Sequence, residues 1–366
     1  EMPYSDRIKY CDRPENAIGP SPEAWAEINE HLDTHAQSMQ ELIDELGRKT
    51  FGHRPRVGDA FCGAGSIPFE AARMGCESFG SDLNPAACLL SWTGLNVLGK
   101  DKDRQLEIAN EQAAICDSIE EKLNAWNLES NGQGEKADAF LYCIEVKPSG
   151  CEYYIPLAPS WVIAEKFKIV VKWKRQEDSD RLSPIVESVS AEELKDYQKK
   201  KGATILDGRV VDPFDPTRTW SIEALRGPEG LRKWSNDDIT PRADDTLQER
   251  LYCIRWINSR GERRYSAPDQ EDMKREQMIL DLLSTRFTEW QQMGLAPSAR
   301  IPEDGAETAR LIRERGWTYW HHLFTPRQLL IHGLFLEQAV QRLANTPELL
   351  ATCLLYTSPS PRDATL

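Results

Sequence analysis

The sequence predicts an α/β protein interrupted by a β-rich insertion. Three observations carry that expectation. Residues 57–82 alternate strand, glycine turn, helix and strand. Residues 138–266 change to short strands and turns. Residues 268–345 return to helical spacing. This divides the chain into a first part over 1–135, an insertion over 136–268 and a helical return over 269–352.

At the start, Ser21-Pro22-Glu23 combines a side-chain cap, a first-turn proline and an acid near the positive helix end. Trp25, Ile28, Leu32, Met39, Leu42 and Leu46 follow at helical spacing, and Gly47 reads as the stop. After the glycine-turn unit come helical patterns near 85–98 and 102–126. Asn131-Gly132-Gln133-Gly134 is a polar break.

Within the insertion, Phe167 to Trp173 alternates, which predicts Ile169, Val171 and Trp173 on one face and Lys168, Val170 and Lys172 on the other. Ser190 and Glu193 predict a capped short helix, and 250–265 a hairpin turning at Asn258-Ser259-Arg260-Gly261. Helices are expected near 268–293 and 306–315, and Thr325-Pro326-Arg327-Gln328 caps a long one. Cys353 to Asp363, CLLYTSPSPRD, is what a transposase sequencing adapter gives on translation, so 353–366 is set aside from fold reasoning. With Glu1 as the first residue, the chain is expected to be a fragment of a longer gene.

Hydrophobic content of 40% with 28% charged residues is that of an ordinary globular protein. The net charge of −14 argues against a generally basic coat but leaves room for a local basic groove. Nine scattered cysteines fit reduced thiols and a cytoplasmic setting, and no apolar run reaches the length of a membrane span.

The chemistry concentrates in DAFCGAGSIPFEAARMGCESFGSDLNPA, from Asp59 to Ala86. Val57 to Phe61 reads as a strand, and Gly63 and Gly65 as a turn that lets backbone approach a ligand. Ser66 is expected to cap the next helix, which Gly75 ends. A second strand from Cys76 to Ser81 sets Asp82 at its carboxyl end, where an acid can hold ribose hydroxyls. A dinucleotide turn would carry a third glycine where Pro68 stands. Asp59 before the turn suits a cationic donor and repels a pyrophosphate. The pattern therefore favours S-adenosylmethionine over a nicotinamide dinucleotide.

DAFCGAGSIPFEAARMG followed by SDLNPAA resembles the DPFCGxGSxxxEAxRxG…DxNPxA pattern of bacterial adenine-specific DNA methylases. The likeness is to members with a zinc-ribbon insertion, often found near phage-defence genes. WHHLFTPRQLL, from Trp320 to Leu330, is similar to a segment preceding the catalytic motif in that family. The resemblance implies an incomplete Rossmann-like, S-adenosylmethionine-dependent methyltransferase fold and methyl transfer to adenine N6 in DNA. It also implies DNA as partner, and possible phage-defence partner proteins. Asp59, Phe61, Cys62, Gly63, Ala64, Gly65 and Ser66 would form the donor loop. Asp82 would bind the ribose, and Leu83 would pack on the adenine. Asn84 and Pro85 match as well, and helix capping explains both.

Two departures qualify what the resemblance implies. No Asp-Pro-Pro-Tyr motif follows the 325–345 helix, so the chain as given is expected to carry no catalytic residue and to be inactive; Asp212-Pro213-Phe214-Asp215 reads as a turn. KPSGCEYYIPL at 147–157 and VVDPFDP at 210–216 correspond to ribbon positions, but Cys143, Cys151, Asp212 and Asp215 are a poor zinc set, so the ribbon is expected to have lost its metal. Lys168, Lys172, Lys174 and Arg175, interleaved with Phe167 and Trp173, are candidates for nucleic-acid contact. RNA methylation, and a donor-fold protein that binds nucleic acid without catalysis, remain open.

Overall fold

Strand–helix–strand order brings two short strands side by side at the start of the chain. The computed structural model describes residues 20–226 and 230–351, so Glu1 and the adapter-like tail lie outside the described residues. The chain divides into two compact units. One runs to Gln112 and takes in the segment from Leu343; the other comprises Ala113–Arg342.

In the first unit, helix α1 (Pro22–Leu32) and helix α2 (Met39–Phe51) replace the single helix expected over 21–47. The break has a local cause. Asp33 takes a left-handed backbone, and the Asn29 carboxamide oxygen accepts from Thr34 Oγ1 at 2.8 Å and from the Ala36 amide at 3.0 Å. Ser38 then starts α2 by accepting from the Glu41 amide. Gly47 does not stop a helix. It lies buried inside α2, where an added Cβ would fall 2.2 Å from the Pro55 ring.

Next, β1 (Arg56–Asp59), α3 (Ser66–Arg73) and β2 (Glu77–Gly80) form a β–α–β unit, with β1 and β2 parallel and Arg56 opposite Glu77. Helix α4 (Pro85–Thr93) runs into a π-helical turn over Gly94–Leu98. Helix α5 (Lys102–Ala125) continues into the second unit. Glu348, in the returning segment, is held by Arg104 at 2.7 Å.

The second unit is built on a long antiparallel pair, β3 (Glu135–Val146) and β11 (Leu247–Asn258), aligned from Val146 opposite Leu247 to Glu135 opposite Asn258. The strand β12 (Arg263–Ser266) flanks β11, closing the expected hairpin, and β4 (Ile155–Leu157) flanks β3. A three-stranded sheet holds β5 (Val162–Ala164), β6 (Ile169–Lys174) and β7 (Ser183–Ser188). After helix α6 (Ala191–Gln198) a smaller one holds β8 (Ile205–Leu206), β9 (Arg209–Val211) and β10 (Thr219–Ser221). Helices α8 (Gln270–Ser284), α9 (Phe287–Gln292), α10 (Ala306–Arg315) and α11 (Pro326–Arg342) follow a one-turn α7 (Ile222–Leu225) and the sheets. The cap of α11 is reciprocal: Gln328 Oε1 accepts from the Thr325 amide at 2.9 Å, and Thr325 Oγ1 from the Gln328 amide at 3.3 Å.

The architecture is therefore mixed α/β with several separate sheets. The β6 alternation is less clean than expected, because Val170 and Val171 are both buried and both faces of the strand are covered. Among the described residues, no helix is long and apolar enough to cross a membrane.

Candidate cofactor site

The loop from Ala60 to Gly65 joins β1 to α3 and is held mainly by backbone. The Cys62 amide donates to the Ser81 carbonyl at 3.0 Å, the Ser81 amide to the Asp59 carbonyl at 2.9 Å, and the Gly65 amide to the Cys62 carbonyl at 2.7 Å. These bonds lock the loop to the segment after β2. Gly63 and Gly65 have φ of +50° and +84°, the left-handed region that favours glycine. At Gly65 there is a second reason: a Cβ would fall 2.9 Å from Ser91 Cα.

Asp82 ties the site together. One carboxylate oxygen accepts from the Gly63 amide at 3.0 Å and the other from the Asn84 amide at 2.8 Å. The Asn84 and Gly63 amides hold its carboxyl below the usual carboxylate range. Asp82 is half-buried, and each oxygen keeps a further lone-pair direction for an outside donor. Asp59 is turned to its own loop, accepting from the Phe61 amide at 3.0 Å.

The other donor-loop residues take different roles. Phe61 and Leu83 are 82% and 96% exposed, so two apolar side chains stand uncovered beside the loop and the acid. Ala64 is exposed. Cys62 is buried, its sulfur accepting from Ser91 Oγ at 3.2 Å, so only its backbone can face a ligand. Ser66 is not the cap of α3. It is the first helical residue, Gly65 occupies the cap position without a side chain, and Ser66 stands exposed. Asn84 does cap α4, its side chain accepting from the Ala86 amide at 2.9 Å, with Pro85 following.

Ser91 is the residue that sequence reading missed. It sits on α4, nearly thirty positions from the loop it braces through Cys62 Sγ and, at 3.3 Å, the Gly63 carbonyl. No local pattern marks such a contact.

The basic cluster is separated by its surroundings. Lys172 reaches Glu187 at 2.5 Å and Glu193 at 3.0 Å, and Arg175 pairs with Glu152. Lys168, at a left-handed turn, and Lys174, at the end of β6, are exposed; among the described residues neither is in an ion pair. Trp173 does not interleave with them at the surface, because its ring packs 4.9 Å from that of the buried Trp161.

At the ribbon-like positions, Cys143 and Cys151 belong to different hydrophobic clusters. Asp212 accepts from Tyr153 Oη at 2.6 Å and faces Arg218 at 3.2 Å, while Asp215 accepts from Thr217 Oγ1 at 2.6 Å. Among the described residues, no group of three His, Cys, Asp or Glu side chains is arranged to hold a metal ion. His321 and His322, in the family-like segment, are both buried and bond the Asp238 and Ser235 carbonyls.

Comparison of the chain with protein-family models, curated proteins and solved structures gives no match.

Proposed function

We propose that this chain carries the donor-binding part of an S-adenosylmethionine-dependent DNA methyltransferase directed at adenine N6. The observation behind the proposal is the bond from the Gly63 amide to Asp82, which unites a glycine loop and a strand-end acid across a parallel β–α–β unit. The residues fit the group. A Cβ at Gly63 would meet nothing within 4 Å, so the loop presents open backbone. Asp82 retains acceptor capacity for ribose hydroxyls, Phe61 and Leu83 offer uncovered apolar surface for a purine ring, and Asp59, though one of its oxygens accepts from the Phe61 amide, would contribute negative charge that favours a cationic donor.

When bound, the donor supplies an electrophilic methyl carbon. Transfer to an amine then depends on alignment far more than on acid–base chemistry. In this chain Asp82 orients and Ser91 positions, acting through Cys62 and Gly63. The Rossmann-like character of the first unit and the choice of DNA over RNA belong to this proposal.

Isothermal titration with S-adenosylmethionine tests it. Asp82→Asn keeps an acceptor for one backbone amide but loses the charge and half the acceptor set. It is expected to weaken binding about tenfold or more, the cost of charge-assisted hydrogen bonds. Tight NADH binding that S-adenosylmethionine fails to displace would sink the proposal.

For the nucleic-acid side, Lys168→Gln with Lys174→Gln is expected to lower affinity for duplex DNA and reduce the log–log salt slope by about 2, roughly one phosphate contact per lysine. Lys172→Gln is expected to change little, because Glu187 and Glu193 already occupy that ammonium. Equal effects from Lys172 and the exposed pair would refute an interface on this strand.

A further inference from the structure

Two turns of the second unit, one in each ribbon-like segment, are stitched together by side chains. The first, Pro148–Cys151, lies between β3 and β4, and its Cys151 amide donates to the Pro148 carbonyl at 2.9 Å. The second, Asp212–Arg218, lies between β9 and β10. Its Asp212 amide donates to the Arg218 carbonyl at 3.1 Å, and the Arg218 amide to the Asp215 carbonyl at 2.9 Å.

Arg218 bridges the two. Its Nη2 donates to the Gly150 carbonyl in the first turn at 2.7 Å, while Nη1 lies 3.2 Å from Asp212 Oδ2 in the second. Trp220 adds a bond from its indole Nε1 to the Ser149 carbonyl at 3.3 Å, and the guanidinium lies 5.3 Å from that indole's ring centre. Asp212 is 1% exposed, and its Oδ1 accepts from Tyr153 Oη at 2.6 Å and from the Phe214 amide at 2.9 Å. Its Oδ2 is buried outside hydrogen-bond alignment with any donor, so the Arg218 cation meets it as a charge. A carboxylate this deeply buried is tolerated only with such a partner.

The same residues do not fit zinc. A structural zinc is closed by four Cys or His ligands in a tetrahedron, and its thiols must lose their protons. Cys143 and Cys151 pack in different hydrophobic clusters, and burial pushes the Cys143 thiol up, away from the thiolate form. Asp212 Oδ1 already holds two donors, Oδ2 faces a fixed positive charge, and Asp215 accepts from Thr217. A guanidinium at that distance from Oδ2 repels a metal cation approaching the same oxygen.

We propose that Arg218 is the cation that clasps these two turns, where the resemblance implies a zinc ion, and that the second unit joins them without a metal. A guanidinium suits the task because its planar fork reaches acceptors on two different turns and it never loses its charge. The Arg218 side chain is 40% exposed, which leaves the position open to a small cation of the same shape. The clasp takes no part in donor binding, so it stands or falls apart from the proposed function.

Thermal melting of the full chain tests it. Arg218→Ala leaves Asp212 buried without its cation, and the melting temperature is expected to fall by about 5 °C or more. Ethylguanidinium at millimolar concentration is expected to raise the melting temperature of Arg218→Ala and to leave the parent unchanged, because only the variant offers it a site. Ethylammonium, equally charged but without the fork, is expected to do neither. Arg218→Lys, which keeps the charge on a flexible stem but reaches one acceptor at a time, is expected to melt below the parent; it decides the matter if Arg218→Ala does not fold. EDTA and added zinc chloride are both expected to leave the parent's melting temperature in place. Arg218 variants as stable as the parent, no rescue by ethylguanidinium, or equal rescue by ethylammonium would overturn the clasp. A drop on adding EDTA would overturn it too, by revealing a metal in the role given to Arg218.

Discussion

Gly65→Ala is expected to cost the protein both donor binding and stability. At φ of +84° an alanine side chain crowds its own backbone, a penalty of about 1–2 kcal/mol. Its Cβ would also lie 2.8 Å from Ser91 Oγ and 2.9 Å from Ser91 Cα. The second atom is backbone within α4, so it cannot swing aside, and overpacking of this kind adds about 1–3 kcal/mol. The loop must shift, carrying with it the Gly63 amide that Asp82 accepts and the Gly63 carbonyl that Ser91 braces. Binding of S-adenosylmethionine is expected to fall by about thirtyfold or more, the equivalent of roughly 2 kcal/mol.

Gly63→Ala provides the contrast. Its Cβ meets no protein atom, so stability is expected to fall only by the backbone penalty while donor binding is lost to contact with the ligand. Ser91→Gly combined with Gly65→Ala is expected to recover only part of the loss, since Ser91 Cα remains. Titration calorimetry and urea unfolding read the two quantities. If Gly65→Ala bound the donor like the parent chain, the loop would not be the donor site.

How much of this was legible in the sequence depended on how local each cause is. The reciprocal Thr325–Gln328 cap, the Ser190 cap of α6 and the turn at Asn258–Gly261 are each set within a few residues, and the sequence shows them directly. The β–α–β order and the position of Asp82 after the second strand are legible for the same reason. Misreadings arise where a distant partner decides. Gly47 looks like a helix stop, yet contact with the Pro55 ring explains why glycine sits inside α2. The helical spacing from Trp25 to Leu46 is real but spans two helices, because Asn29 draws the Thr34–Ala36 backbone out of line. Ser66 has the right chemistry for a cap, but the left-handed Gly65 starts the helix one residue earlier. Lys172 reads as free positive charge until β7 and α6 bring Glu187 and Glu193 to it. The cavity between β3, β11 and α11 has no sequence signature at all, because its walls are far apart along the chain.

Acidification from pH about 7 to about 4.5 is expected to destabilise the second unit through its buried histidines. His322 is stacked on Trp234 with ring centres 3.8 Å apart, and its Nδ1 accepts from the Thr318 amide at 3.2 Å and the Tyr319 amide at 3.4 Å. The proton therefore sits on Nε2, which donates to the Ser235 carbonyl at 3.1 Å, and the ring is satisfied only when neutral. Burial, the neighbouring His321 and then Arg232 push its pKa down to about 2, while burial also lowers that of His321. Both folded values lie below the unfolded value of 6.5, so the unfolded chain binds more protons once the pH falls under it. The stabilisation is present above pH 6.5 and is lost as the pH drops, each histidine contributing up to about 1.4 kcal/mol per pH unit while its folded form stays neutral. For His322 alone the loss down to pH about 4.5 is roughly 2–3 kcal/mol. Carboxylates whose values are lowered, Glu135 by Arg264 and Asp238 chiefly by Arg242, lose their contribution as the pH falls through lower values, so most of the histidine effect precedes theirs. Urea midpoints measured across this range are expected to decline for the parent chain and to decline less steeply for His322→Gln, which cannot take up the proton. Parallel slopes for the two proteins would show that the ring accepts a proton without unfolding, and would remove His322 as the source of acid sensitivity.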